Sequence, residues 1–321
     1  MEKDKHTKRR ALKGIVVFVI YIVVFAMLIR YITANVDIMR RILNSSLQDR
    51  VLGLICSFIS VVLTGILDVT CAKAYGISIK KVESIGLTFV ASAINLFLPL
   101  QAGSVLKATY LKNKIKLTYS RYIAMASGTA VIGILVPIFL LLLSLIISSF
   151  KWNVDMLYIW LLIAVIMIII ISFMILINLK EKVLRIIPFK NLTTPVIKGF
   201  FELSTNTRAV TFVWLNQITS SLIGGVRFFY IFKILGIDNG IVNSMLYYAI
   251  YAFSSSFPIL PGGIGISEVL VGITNTILGA DFDIGVTVVL VNRVYNYLVI
   301  AVGALISAFF LFVIPKKKNL H

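Results

Sequence analysis

The chain has 321 residues, 59% of them hydrophobic and 14% charged, whereas soluble globular domains are nearer half apolar and a quarter charged. That balance excludes an ordinary water-soluble domain and points to a polytopic membrane protein. The 31 Lys and Arg against 13 Asp and Glu give a formal charge of +18, but the basic residues cluster beside apolar runs, as in cytoplasmic loops, which argues against a nucleic-acid partner.

The basic start, 1-MEKDKHTKRRALKG-14, precedes an apolar run with no small-residue cleavage site after it, so it reads as a retained first helix over 13–30. Hydropathy and basic clusters then place further spans at 51–74, 119–149, 156–179, 209–235 and 285–313, six in all. Stretches such as 131-VIGILVPIFLLLLSLIISSF-150 are long enough to cross a hydrocarbon core of about 30 Å as helices and lack the alternation of a barrel strand. Cys56 and Cys71 lie on one predicted helix, too far apart for a disulfide, and His6 and His321 sit at the chain ends. No metal site, cofactor or catalytic histidine is therefore expected.

Two further apolar segments, 82–111 and 243–279, are broken near their centres by 96-LFLPLQAGSVLK-107 and 258-PILPGGIGISE-268. Each reads as a re-entrant hairpin whose irregular backbone must be buried in protein or line a watery cavity. Pro99 to Gly103 and Pro261 to Gly265 share one spacing at an offset of 162 (261 − 99), while 73-KAYGI-77 and 233-KILGI-237 echo each other at 160 (233 − 73). If both termini are cytoplasmic, Lys73, Lys80, Lys81, Lys112, Lys114 and Lys116 fall inside, and Asp238, Asp281 and Asp283 fall outside. The loop 30–50 is the exception, lying outside despite Arg30, Arg40, Arg41 and Arg50. The hairpins then enter from opposite faces, as an inverted repeat produces, with halves of about 51–149 and 209–313 and a basic cytoplasmic segment of about 180–208. That segment suits either the anionic leaflet or an ordinary loop. The expected fold class is an all-α polytopic membrane protein, one integral membrane domain over 1–321.

A helix that begins inside a membrane offers unpaired N–H groups and a positive dipole end to a phosphate or carboxylate. Pro261, Gly262, Gly263 and Gly265 in the second hairpin, and Pro99, Gln101, Gly103, Ser104 and Lys107 in the first, are the candidate binding residues; tight helix packing is the alternative use of the glycines. Charges within spans are costly and are functional candidates. Asp68, eight residues before Gly76, and Arg227, nine before Gly236, both read as mid-depth, so they could form an ion pair, two poles of one cavity, or a purely structural pair. Glu268 reads as a helix cap, a partner for Arg293, or a proton or cation carrier. Arg293 heads 293-RVYNY-297 and suits bidentate phosphate binding, while Tyr295 and Tyr297 are equally candidates for the interfacial aromatic belt.

The stretches 95-NLFLPLQAG-103, 261-PGGIGISE-268 and 292-NRVYNY-297 resemble the transmembrane-region family of lysylphosphatidylglycerol synthases, over roughly 10–315. The resemblance implies translocation of aminoacylated phosphatidylglycerol and resistance to cationic antimicrobial peptides; other relatives are tied to polyprenyl-linked sugars. The lysyl transfer from tRNA belongs, in that family, to a separate soluble domain, which the chain is expected to lack because it stops at His321. It departs from the family pattern at Ser267, where Arg is usual, at Ser104, where Glu is frequent, and at 127-SGTA-130, where a charged pair is common.

The favoured expectation is a cell-membrane lipid flippase without catalytic residues, with Arg293 and Arg227 drawing the phosphate and Glu268 and Asp68 taking an amino group or titrating. A phosphatidylglycerol lysyltransferase or its membrane half, a polyprenyl-lipid transporter and an accessory subunit are the alternatives. Candidate partners are a membrane phospholipid, a separate soluble synthase or glycosyltransferase, and a second copy of the chain.

Overall fold

A computed structural model of the chain describes residues 33, 36–97, 101–152, 205–256 and 265–313. The expected spans 13–30 and 156–179, most of the basic segment 180–208, and Pro99, Pro261, Gly262 and Gly263 at the two breaks lie outside the described residues.

The described residues form helices α1 (Val36–Asn44), α2 (Leu47–Ala74), α3 (Lys81–Phe97), α4 (Ala102–Ile115), α5 (Tyr119–Trp152), α6 (Thr207–Ile234), α7 (Ile241–Ser255), α8 (Ile266–Ile277) and α9 (Phe282–Ala308), the last continued by a π-helical turn, Phe309–Val313. Four of these, α2, α5, α6 and α9, are long and apolar enough to cross a membrane, and they correspond to four of the six expected spans. Each of the two broken segments is a pair of shorter helices, as the Pro/Gly interruptions predict: α3 with α4, and α7 with α8.

One element order occurs twice. Both α2 and α6 run for 28 residues, about 42 Å at 1.5 Å per residue. Side chains cap them at the start: Ser46 accepts from the Asp49 N–H and Asn206 from the Ala209 N–H. Both end on a left-handed glycine, Gly76 at φ +72° and Gly236 at φ +75°. In each, the glycine N–H bonds a lysine carbonyl at 3.0 Å, Lys73 or Lys233, and the next isoleucine bonds the carbonyl before that lysine at 2.9 Å. This Schellman closure explains why K-x-x-G-I recurs, since only glycine takes that φ without strain.

The two long helices run antiparallel. Asn216 of α6 donates to the Leu63 carbonyl of α2 at 3.1 Å, and Arg227, further along α6, reaches Ser57, earlier on α2. Their C-terminal ends, carrying Lys73 and Lys233, therefore point to opposite ends of the molecule. The helix pairs cross-pack: α3 lies against α9, and α7 against α5. One apolar core gathers Leu67, Leu87, Leu111, Met125, Val136 and Leu246; a second gathers Phe228, Phe232, Tyr247, Val271, Val288 and Tyr295. The outward faces carry exposed apolar residues such as Phe58, Phe139, Leu215, Ile218 and Val302. Such faces are compatible with lipid rather than water.

At the end of the molecule that holds the α6–α7 turn, Arg41 shares a cavity of about 360 Å³ with Asp281 and Asp283. The basic character of the 30–50 loop is thus offset locally by the acidic flank of the second helix pair.

Candidate functional site

The first helix pair is an antiparallel hairpin held along its length. At its base, Lys114 forms an ion pair with Glu83, which also accepts from the Tyr110 hydroxyl at 2.8 Å. Halfway up, Lys107 Nζ forms an ion pair with Asp68 of α2 and donates to Thr88 Oγ1 at 2.9 Å, while the Thr88 hydroxyl lies 3.3 Å from Asp68 Oδ2. Near the tip, the Gly103 N–H donates to Asn95 Oδ1 at 2.7 Å. A Cβ on Gly103 would sit 1.9 Å from the Ala91 carbonyl oxygen, so α4 approaches α3 as closely as backbones can. Gln101 begins α4 in the left-handed region at φ 54° and is exposed, and Ser104, on the first turn of α4, is half-buried.

The second pair has a different polar centre. Gly265, at φ 95°, begins α8, and its N–H donates to Glu268 Oε2 at 2.9 Å. Arg293 of α9 reaches Glu268 from the side: its Nη2 lies 2.9 Å from Oε1 and 3.0 Å from Oε2. Ser267 joins the two, accepting from Arg293 Nη2 at 3.0 Å and donating to Glu268 Oε2 at 3.0 Å. Arg293 also donates to the Tyr297 hydroxyl at 3.5 Å. The Arg293 side chain is 4% exposed and that of Glu268 13%. A buried guanidinium is tolerated when acceptors surround it in this way.

Arg227 stands apart. Its Nη1 donates to Asn296 Oδ1 of α9 at 2.8 Å and to Ser57 Oγ of α2 at 3.5 Å, both neutral. It forms no ion pair among the described residues and is 4% exposed.

Several expectations change. Asp68 and Arg227 do not pair with each other; Asp68 meets Lys107, because each residue lies partway along its own helix and those helices point in opposite directions. The break-side N–H groups are not left open for a ligand at Gly103 and Gly265, since Asn95 and Glu268 already accept from them. Of the three roles open to Glu268, the structure has two at once, cap and partner of Arg293. Tyr295 is 2% exposed inside the second core rather than in an interfacial belt, and Tyr297 faces Arg293. At position 267, a serine bridges Glu268 and Arg293; an arginine there would bring a second cation against Arg293.

Thr88, Asn95, Asn292 and Asn296 escaped the sequence reading. Asn292 and Asn296 had a usable signal, polar residues one helical turn apart within an apolar span. Thr88 and Asn95 had none, because threonine and asparagine in a membrane helix usually satisfy themselves locally.

The chain matches the family described as lysylphosphatidylglycerol synthase TM region over residues 12–303, and it belongs to that family. No curated protein and no solved structure matches it.

Proposed function

We propose that the chain is a cell-membrane lipid transporter that exposes a phospholipid headgroup alternately to the two faces. The observation that carries this reading is the repeated element order around antiparallel α2 and α6, each followed by a helix pair interrupted by Pro and Gly. Helices broken at corresponding places in inverted halves are the general sign of a transporter site at the repeat interface. The buried polar clusters at Asp68–Lys107 and Glu268–Arg293, one against each interrupted pair, supply groups that could bind and release a zwitterionic headgroup. Aminoacylated phosphatidylglycerol is the cargo class that family membership favours, with resistance to cationic antimicrobial peptides as its consequence. Both termini are assigned to the cytoplasm on charge grounds.

Proteoliposomes holding the purified chain and fluorescent phosphatidylglycerol, its lysylated form or a polyprenyl phosphate test the proposal by headgroup accessibility. Faster loss of sidedness for one lipid, abolished in Arg293→Ala, is the expected result. No acceleration for any of them from folded protein would remove the transport reading.

The family description also supports a second reading, a membrane half working with a soluble synthase. Lysyl transfer from charged tRNA to phosphatidylglycerol, restored only when such a partner is added, would favour it.

A further inference from the structure

We infer that Arg227, with Asn292, Asn296 and Ser57, forms an anion site that takes a singly charged phosphate ester. Three buried cations lie in the membrane part of the described chain, and they are not equivalent. Lys107 is neutralised by Asp68 and Arg293 by Glu268. Arg227 is as buried as Arg293 but, among the described residues, meets two neutral oxygens, at 2.8 Å and 3.5 Å, and no carboxylate. A buried guanidinium with no carboxylate beside it among the described residues is an expensive arrangement unless a ligand shares its charge.

The surroundings carry a second, independent signal. Asn292 is 0% exposed, and among the described residues neither its amide nitrogen nor its amide oxygen has a hydrogen-bond partner. It lies one helical turn before Asn296 on α9 and thus on the face that meets Arg227. The Arg227 Nε is likewise buried and without a hydrogen-bond partner among the described residues. Arg227 and, one turn from its Asn296 contact, Asn292 thus carry unused N–H donors beside a positive charge with no carboxylate partner among the described residues, which is the complement of an oxyanion.

A phosphodiester carries one negative charge, enough to balance one guanidinium, and its two free oxygens match the fork. The site is closed in this structure, so a ligand reaches it when α6, α9 and α2 part. Gly224 and Gly225, just before Arg227, hold α6 tightly to α7: a Cβ at Gly224 would lie 2.1 Å from the Tyr248 ring, and one at Gly225 would lie 2.6 Å from Met245. In the lipid-transport reading, on which the choice of ligand rests, Arg227 takes the phosphate in the state in which Arg293 is paired with Glu268, and the Glu268–Arg293 cluster meets the headgroup in the state in which that pair opens.

The test is the thermal unfolding of the full chain in neutral detergent, titrated with phosphatidylglycerol, with diacylglycerol of the same acyl chains, or with inorganic phosphate. Phosphatidylglycerol should raise the midpoint of the wild type and diacylglycerol should not. Arg227→Gln should lose the response. Arg227→Lys, which keeps the charge without the fork, should need at least about tenfold more lipid. An equal response to inorganic phosphate, also lost in Arg227→Gln, would keep the anion site and make a free ion its source. Equal shifts with diacylglycerol, or an unchanged response in Arg227→Gln, would overturn the inference. If Arg227→Gln does not fold, a dose response of Arg227→Lys identical to wild type overturns it instead. Headgroup accessibility measured on the same variants separates the two claims. Translocation that ignores Arg227 leaves transport standing without this site; binding at Arg227 without translocation leaves the site and removes transport.

Discussion

Removing the Glu268 carboxylate should destabilise the chain chiefly through the arginine it leaves behind. In Glu268→Ala, Arg293 loses contacts of 2.9 Å and 3.0 Å while remaining 4% exposed, and the Gly265 N–H loses its 2.9 Å acceptor. Breaking a buried pair from one side costs about 3–5 kcal/mol, and the 13% exposure of Glu268 lets water repay part of this, which leaves about 3 kcal/mol. Loss of the cap adds about 1 kcal/mol. Arg293→Met should cost less, about 2 kcal/mol, because Glu268 keeps its bonds from Gly265 and Ser267 and lies nearer to water. Once both are gone there is no stranded charge, so the double variant should lose less than the sum of the singles, with a coupling of about 2–3 kcal/mol. Equilibrium unfolding of the full chain in mixed micelles of the four proteins measures it. Effects that add to within about 0.5 kcal/mol would refute the ion pair as the reason Glu268 and Arg293 are present.

Gly103→Ala should destabilise the first hairpin by about 3 kcal/mol or more, because its Cβ would meet the Ala91 carbonyl oxygen at 1.9 Å and backbone cannot yield as a side chain can. Gly76→Ala, with nothing within 4 Å but φ at +72°, should cost only about 1 kcal/mol, and limited proteolysis of the two variants should rank them in that order. Lys107→Met should strand Asp68 and lower the unfolding midpoint, whereas adding Asp68→Asn should recover most of the loss. Cysteines placed at Lys114 and Asp238 should react with an impermeant maleimide from opposite faces of the membrane, with little background from Cys56 and Cys71, which are 9% and 0% exposed. Labelling of both from one face would contradict the inverted arrangement.

Much of the fold was legible because the membrane makes one-dimensional signals strong. A long apolar run must be a helix, since no other single segment satisfies its own backbone, and a K-x-x-G-I closure marks the residue that must turn left-handed. The interruption of 82–111 and 243–279 was equally readable from Pro and Gly. The proximity of Glu268 to Arg293 followed less directly: the two residues are 25 apart, and only the tight turn between α8 and α9 brings them together. The Asp68–Lys107 pair, 39 residues apart, depends on the register of a hairpin against a third helix. No hydropathy pattern encodes that register, because the faces involved are all apolar.

The misreading of Asp68 and Arg227 shows what sequence depth omits. Each was placed by counting back from the end of its own span, which gives depth without saying from which face. With Leu63 and Asn216 at one level, Asp68 lies five residues toward one end of the bundle and Arg227 eleven toward the other. At 1.5 Å per residue their backbones are roughly 24 Å apart along the axis, beyond the reach of both side chains together. The antiparallel run of α2 and α6 is therefore what separates the two charges. Asp68 is left to the lysine of its own hairpin, and the guanidinium of Arg227 is left to asparagine and serine. The same antiparallel arrangement that suggests a transporter thus isolates the one buried cation without a carboxylate among the described residues, and that isolation makes Arg227 the place to look for a bound phosphate while Arg293 is paired with Glu268.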